Sequence, residues 1–216
     1  MQLLSVRTSY SRAERLTDAV IHASGLTLVL IAVPVLITAA AFLRGDFTAM
    51  FGVTVYGLAL IAMILCSALY NMIPAPGWEE LLKRLDHSAI YVKIAGTYTP
   101  FTLLSGQGHL LLAGLWAAAL TGVGIKLFWP HRFRALTLAL YLGMGWAGLA
   151  AGGTFLGALS APVLILIVTG GLLYTAGVAF YLFERLPFHY TIWHVFVLTA
   201  SLVFYAAVTL HLVESA

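Results

Sequence analysis

The sequence predicts an all-α integral membrane protein: a seven-transmembrane helix bundle with its N-terminus in the cytoplasm and its C-terminus outside. Three observations carry this expectation. The 216 residues are 62% hydrophobic and only 9% charged, against about 25% charged in ordinary soluble domains, and a soluble fold of this size cannot hide so much apolar surface. Seven stretches approach the ~20 mostly apolar residues that a membrane-crossing helix needs. Lys and Arg are split unevenly between alternate connections, as the positive-inside rule describes. The same composition excludes a soluble enzyme, a nucleic-acid-binding domain and a disordered chain. The net charge of +3 comes from residues in connections and does not imply a nucleic-acid partner. Cys66 is the single cysteine, so neither an intrachain disulfide nor a cysteine-based zinc site is available.

The expected spans run from Asp18 to Leu43, Met50 to Ile73, Asp86 to Leu104, His109 to Phe128, Ala135 to Leu159, Pro162 to Phe183 and Tyr190 to Val213. Turn-forming residues separate them: Arg44-Gly45-Asp46, Pro74-Ala75-Pro76-Gly77, Ser105-Gly106-Gln107-Gly108, Trp129-Pro130-His131 and Leu186-Pro187. The weakest break is Gly157 to Pro162, where no charge intervenes. Residues 1–17 read as a cytoplasmic N-terminal segment and 18–216 as one transmembrane domain. The start does not read as a signal peptide, because Arg7, Arg12, Glu14, Arg15 and Asp18 crowd the approach to a full-length first span.

With seven spans, one side of the membrane receives Arg7, Arg12, Arg15, Lys83, Arg84, Lys126, Arg132, Arg134 and Arg185. The other side receives only Arg44, and Lys93 falls inside the third span. The asymmetry places the N-terminus in the cytoplasm.

Ionisable groups at membrane depth are rare and usually face the bundle interior. Asp18 and His22 on the first span, Ser67 and Asn71 on the second, Asp86, His87, Ser88 and Lys93 on the third, and His189, Tyr190 and His194 at the seventh all fall toward the cytoplasmic ends. Four helices thus bring polar groups to one depth, as a binding site requires. Asp18 and His22, Ser67 and Asn71, and Tyr190 and His194 are each four apart and share a helix face. Lys93 lies about 10 Å deeper than Asp86. Its stem would snorkel back toward that carboxylate, so a salt bridge between the two is expected. Single histidines near helix ends, such as His87, His189, His109 and His211, are ordinarily interface residues, and Ser67 and Asn71 could simply join neighbouring helices.

Leu85-Asp86-His87-Ser88-Ala89-Ile90-Tyr91 followed by Ala95-Gly96-Thr97-Tyr98-Thr99-Pro100-Phe101 resembles the hallmark of bacterial hemolysin III proteins. Tyr141-Leu142-Gly143-Met144-Gly145-Trp146, Gly170 to Gly177 with Phe180-Tyr181, and Ile192-Trp193-His194-Val195-Phe196-Val197 resemble the family's fifth, sixth and seventh helix motifs. Glu14 and His22 match the pattern of its first helix. The resemblance covers nearly the whole chain. The wider group includes the progestin and adipoQ receptors, and it implies seven spans with a cytoplasmic N-terminus and residence, here, in the bacterial inner membrane.

The resemblance also implies a zinc site: a Ser-x-x-x-His ending the second helix, an Asp opening the third and a His-x-x-x-His opening the seventh, with lipid amide hydrolysis as the reaction class. Ser67, Asp86 and His194 match, but Asn71 and Tyr190 stand where histidines belong, and a further seventh-helix histidine is replaced near Phe204. Asn and Tyr are poor substitutes for imidazole. Two arrangements stay open: zinc held by the recruited histidines His22, His189 and His194 beside Asp86, or a metal-free polar core in which Asn71, Tyr190 and His194 surround an Asp86–Lys93 pair. In a hydrolase, Asp86 would orient or deprotonate water, the metal or Lys93 would polarise the carbonyl, and Ser67 would bond one of the reacting oxygens. The lipid bilayer, and within it a lipid substrate, are the partners implied. Two non-enzymatic readings compete: a cytolytic pore, as the family name implies, and an ion or proton relay through Asp86, Lys93 and His194. No ring of like charges favours the pore, and no inverted repeat is visible to favour the transporter.

Overall fold

The computed structural model describes residues 10–74, 76–130 and 134–216, so Arg7, Ala75, His131 and Arg132 of the sequence reading lie outside the described residues. Eight α-helices follow in order among them: α1 Arg12–Leu43, α2 Phe47–Met72, α3 Glu79–Ser105, α4 His109–Phe128, α5 Arg134–Ala150, α6 Gly153–Gly157, α7 Ala161–Leu182 and α8 His189–Glu214. No strand occurs among the described residues. Five of the helices (α1, α2, α4, α7 and α8) are long and apolar enough to cross a membrane. The apolar helix of α5 is shorter, and α3, at 27 residues, is long enough but more polar. Phe42, Phe47, Leu110, Leu120, Ile165 and Leu172 are among many large apolar side chains left exposed on the outside of the bundle. An exterior of this kind is soluble in lipid and not in water, and the chain is a multi-pass membrane protein.

The helix starts explain themselves locally. Ser11 opens α1 with a capping box: its hydroxyl accepts from the Glu14 backbone N–H, and the Glu14 carboxylate accepts from the Ser11 N–H at 2.8 Å. Helix α1 therefore begins at Arg12, six residues before the expected span. Asp46 caps α2 by accepting from the Ala49 N–H at 3.1 Å and is held in place by Arg44 Nε, which donates at 2.9 Å. These donors keep the exposed Asp46 carboxyl below its ordinary pKa. Helix α3 starts two turns before Asp86, with Glu79 and Glu80 in the first turn complementing the helix dipole. Ser160 caps α7.

The expected fifth span, Ala135 to Leu159, is interrupted. Helix α5 ends at Ala150, and the five-residue α6 follows. The break falls at Gly152, whose φ of 84° with ψ of −176° is a conformation open only to glycine. Phe155 of α6 is buried against Tyr98, so this segment is a packed plug at that end of the bundle.

Helices α1, α2 and α8 share the main core, with Val29, Val33 and Leu36 meeting Val53, Tyr56 and Leu60 of α2 and Ala207, Val208 and Leu212 of α8. A second cluster joins Tyr91 and Ala95 of α3 to Leu115 and Ala119 of α4 and Met144 of α5. Where α3 crosses α4, Gly122 lies flat against the Tyr91 ring; a Cβ there would stand 2.4 Å from Tyr91 Cε1. The first and last helices are sewn together along their length. Tyr205 Oη donates to the Ala32 carbonyl at 2.7 Å, and the Glu14 carboxylate accepts from the Phe188 N–H at 2.9 Å. Phe188 precedes α8 in a left-handed conformation, φ 58°. Its N–H is one of the donors a helix start leaves unpaired, so Glu14 fixes the start of α8 against α1.

Candidate functional site

With α8 pinned to α1 by Glu14, His194 on the second turn of α8 faces Asp18 and His22 of α1. His194 Nδ1 lies 2.6 Å from Asp18 Oδ1. His22 Nδ1 lies 2.9 Å from the Asp18 carbonyl oxygen and 3.4 Å from Asp18 Oδ2. Both Nδ1 atoms face only oxygens that accept, so each carries the proton, and both Nε2 atoms keep their lone pairs. His22 Nε2 lies 3.1 Å from Ser67 Oγ on α2, so the Ser67 hydroxyl donates to it. The Asn71 amide nitrogen donates to the Ser67 carbonyl at 2.9 Å and reaches Ser67 Oγ at 3.4 Å. Asp86 of α3 lines the same cavity as Ser67. Asp18, His22, Asp86 and His194 are all buried.

All of these except Asp18 open onto a cavity of about 640 Å³ with mostly apolar walls. His22, Ser67, Asn71, Asp86, Lys93, His189, Tyr190 and His194 all line it, contributed by α1, α2, α3 and α8. Further along, the walls are Ile94, Leu142, Trp146, Val178, Val197 and Leu198, a surface suited to an acyl chain.

Three findings differ from the sequence expectation. First, Asp86 and Lys93 form no ion pair among the described residues. The Lys93 ammonium instead sits over the rings of Tyr174 and Phe204, 4.6 and 4.7 Å from their centroids, a cation–π clamp. The aromatic residue near the lost histidine position thus holds Lys93, and α3 carries it too deep for the snorkelling stem to return to Asp86. Lys93→Met should keep the packing and remove a costly buried charge. We expect the detergent-solubilised variant to melt at or above the wild-type temperature; a clear drop would mean that the clamp stabilises the bundle.

Second, His189 does not join His22 and His194. Its Nε2 lies 3.3 Å from Tyr10 Oη and its Nδ1 3.3 Å from the Phe180 carbonyl. One residue's offset from Tyr190 turns it about 100° around the helix, toward the entry segment. Tyr190 itself packs edge-on against His194, ring centroids 4.5 Å apart. Third, the acid among the histidines is Asp18. Among the described residues, Asp18, His22 and His194 form a group that could hold a metal ion, with ligand atoms all within 4.8 Å of one another. Asp18 and His22 stand four apart in the sequence, which signals a shared face, but only the packing of α8 reveals His194 as the third member.

The ligand set that the family resemblance implies is not complete here. Asn71 is engaged with Ser67, and Tyr190 presents a ring to His194. The donors that do converge, two imidazoles and a carboxylate, nevertheless suit a divalent metal.

Fold and site together define a polytopic helical membrane protein with a buried acid–histidine–serine centre beneath an apolar cavity. A family model described as "Haemolysin-III related" matches residues 11–205. The chain is similar to Hemolysin-3 of Bacillus cereus, 37% identical over 206 residues covering 94% of each chain. It is similar to the Hemolysin-3 homolog of Bacillus subtilis (strain 168), also 37% identical over 206 residues, 93% of this chain and 95% of that one. It also matches the human monocyte to macrophage differentiation factor, 28% identical over 184 residues, 74% of this chain and 70% of the relative. The chain belongs to the haemolysin III family.

Proposed function

We propose that this protein is a seven-span hydrolase of the bacterial inner membrane, with its N-terminus in the cytoplasm, that cleaves the acyl bond of a membrane lipid, an amide or an ester. The topology rests on the Lys and Arg asymmetry, with α3 and α5 completing the five most apolar helices and α6 serving as a plug. One observation carries the activity: the hydrogen-bonded run from Asp18 through His22 to Ser67, which ends on an apolar cavity large enough for lipid. A proton acceptor beside a hydroxyl, held from behind by the Asp18 carbonyl with its carboxylate 3.4 Å away, is the minimum for acyl transfer. Protein reconstituted in lipid nanodiscs and given a panel of ceramides and phospholipids should release free fatty acid, measured by mass spectrometry. His22→Gln should slow release by at least about 100-fold. Dye leakage from vesicles without any lipid turnover would favour the permeabilising activity in the names of the Bacillus relatives.

The convergence of Asp18, His22 and His194 favours a second reading, in which they hold zinc. A carboxylate behind an imidazole is a common way to orient a metal-binding histidine; the His22 Nε2 lone pair would exchange its bond from Ser67 for the metal. Zinc there would supply Lewis-acid activation of water or carbonyl. Elemental analysis of the purified protein checks this reading: it predicts one zinc per chain, lost in His194→Ala.

A further inference from the structure

We infer that Ser67 is a nucleophile: its hydroxyl, with His22 as base and Asp18 as the positioning residue, forms an acyl-enzyme with the lipid substrate. This rests on the acyl-hydrolase reading and departs from the metal one.

The Asp18 carbonyl oxygen, 2.9 Å from His22 Nδ1, can only accept. It therefore fixes the Nδ1 proton and leaves Nε2 as the basic nitrogen. That nitrogen is 3.1 Å from Ser67 Oγ, within reach for proton transfer in a resting site. The Asp18 carboxylate, 3.4 Å from His22 Nδ1, faces the imidazolium that forms when His22 takes the proton. Its other oxygen is bonded to His194 at 2.6 Å, so the carboxylate cannot swing away. Nucleophile and base thus stand in the contact that serine hydrolases use on unrelated folds, while the Nδ1 proton is held by the Asp18 carbonyl with the carboxylate 3.4 Å away.

Asn71 supports the assignment. It occupies a position where the family resemblance implies a metal-binding imidazole, and an amide offers N–H donors where an imidazole would offer a lone pair. Asn71 Nδ2 already lies 3.4 Å from Ser67 Oγ, next to the atom that would attack. A donor so placed suits the negative oxygen of a tetrahedral intermediate. In chemical terms, the substitution exchanges a metal ligand for an oxyanion donor. Ser67 is half-buried and lines the cavity, so its Oγ is open to an acyl carbonyl arriving from the apolar side.

In the first half of the reaction, Ser67 Oγ bonds to the acyl carbon while its proton passes to His22 Nε2. The carbonyl becomes a tetrahedral oxyanion beside Asn71. Collapse breaks the bond to the leaving amine or alcohol, which takes the proton from His22 and leaves an ester on Ser67. Water then attacks that ester, giving a proton to His22 Nε2. Ser67 Oγ departs with that proton, and the fatty acid is released.

Asp86 lines the same cavity as Ser67, and it is the competing base. The test separates the two. Full-length protein in nanodiscs is treated with a long-chain alkyl fluorophosphonate, and the modified peptide is identified by mass spectrometry. We expect one adduct, on Ser67, formed equally fast with and without 1,10-phenanthroline. His22→Gln should slow labelling by at least about 100-fold, whereas Asp86→Asn should stay within about tenfold of wild type. Wild-type protein that hydrolyses lipid yet acquires no adduct on Ser67, or lipid hydrolysis that survives Ser67→Ala, overturns the inference and leaves the hydrolase reading standing. Chelator-sensitive turnover overturns it in favour of zinc. Loss of labelling in Asp86→Asn but not in His22→Gln overturns the assignment of the base. An adduct on Ser67 without turnover of any lipid in the panel supports the nucleophile and counts against the lipid reading alone. Because the adduct is mapped on the wild-type chain, the result does not depend on any variant folding.

Discussion

Asp18→Ala is expected to lower the stability of the solubilised protein by about 3 kcal/mol, the low end of the cost of removing one partner from a buried charged pair, and to abolish lipid turnover. The Asp18 carboxylate accepts from His194 at 2.6 Å and stands 3.4 Å from His22 Nδ1, and all three residues are buried. Alanine leaves the His194 N–H facing a void with no acceptor, and the full desolvation cost of that group appears. Asp18→Asn separates structure from chemistry. It keeps the volume and one acceptor oxygen, so most of the stability should survive. It removes the negative charge that stabilises an imidazolium, so turnover should fall by about 1,000-fold or more, the scale on which replacing an orienting carboxylate by its amide acts. Thermal melts followed by size-exclusion chromatography give the first number and fatty-acid release the second. An Asn variant with wild-type turnover would make Asp18 a purely structural residue.

Gly122→Ala should be among the most damaging single-methyl changes in the bundle. The added carbon would lie 2.4, 2.5 and 2.6 Å from three atoms of the Tyr91 ring. At Gly57 only one atom, a terminal methyl of Val33, lies closer than 3 Å, whereas at Gly122 three atoms of one ring do. Tyr91 is fully buried, with the Tyr141 ring 4.4 Å away by centroid, so it has nowhere to go and α4 must separate from α3. Overpacking of this kind costs about 3 kcal/mol at the upper end of its usual range. Tyr91→Leu should be destabilising alone and partly restorative with Gly122→Ala. That coupling, read from the melting temperatures of both single variants and the double, is the check. Independent effects would mean that α4 yields without strain.

The helices were legible because each needs a long apolar run and polar punctuation, and both are visible residue by residue. The interruption after Ala150 was not. Gly152 and Gly153 read as small residues that allow helices to approach, and nothing in their identity separates that use from a left-handed break. The polar residues were legible as a set, since a carboxylate or imidazole in an apolar run stands out by cost alone. Their pairing was legible only along one helix. Asp18 with His22 follows from a spacing of four. Asp18 with His194 spans 176 residues and depends on how Glu14 anchors α8, which no periodicity encodes. The expected Asp86–Lys93 bridge illustrates the same limit: a shared helix face is a local inference, whereas the aromatic rings that hold Lys93 come from α7 and α8.

The clamp from Glu14 to the backbone at Phe188 bears on biosynthesis. Asp18 and His22 emerge early from the ribosome, while His194 and the α8 wall of the cavity emerge last. A nascent chain therefore holds half of the centre without its far wall until the final helix enters the bilayer and docks on the first. The pocket is therefore walled only once α8 has docked on α1.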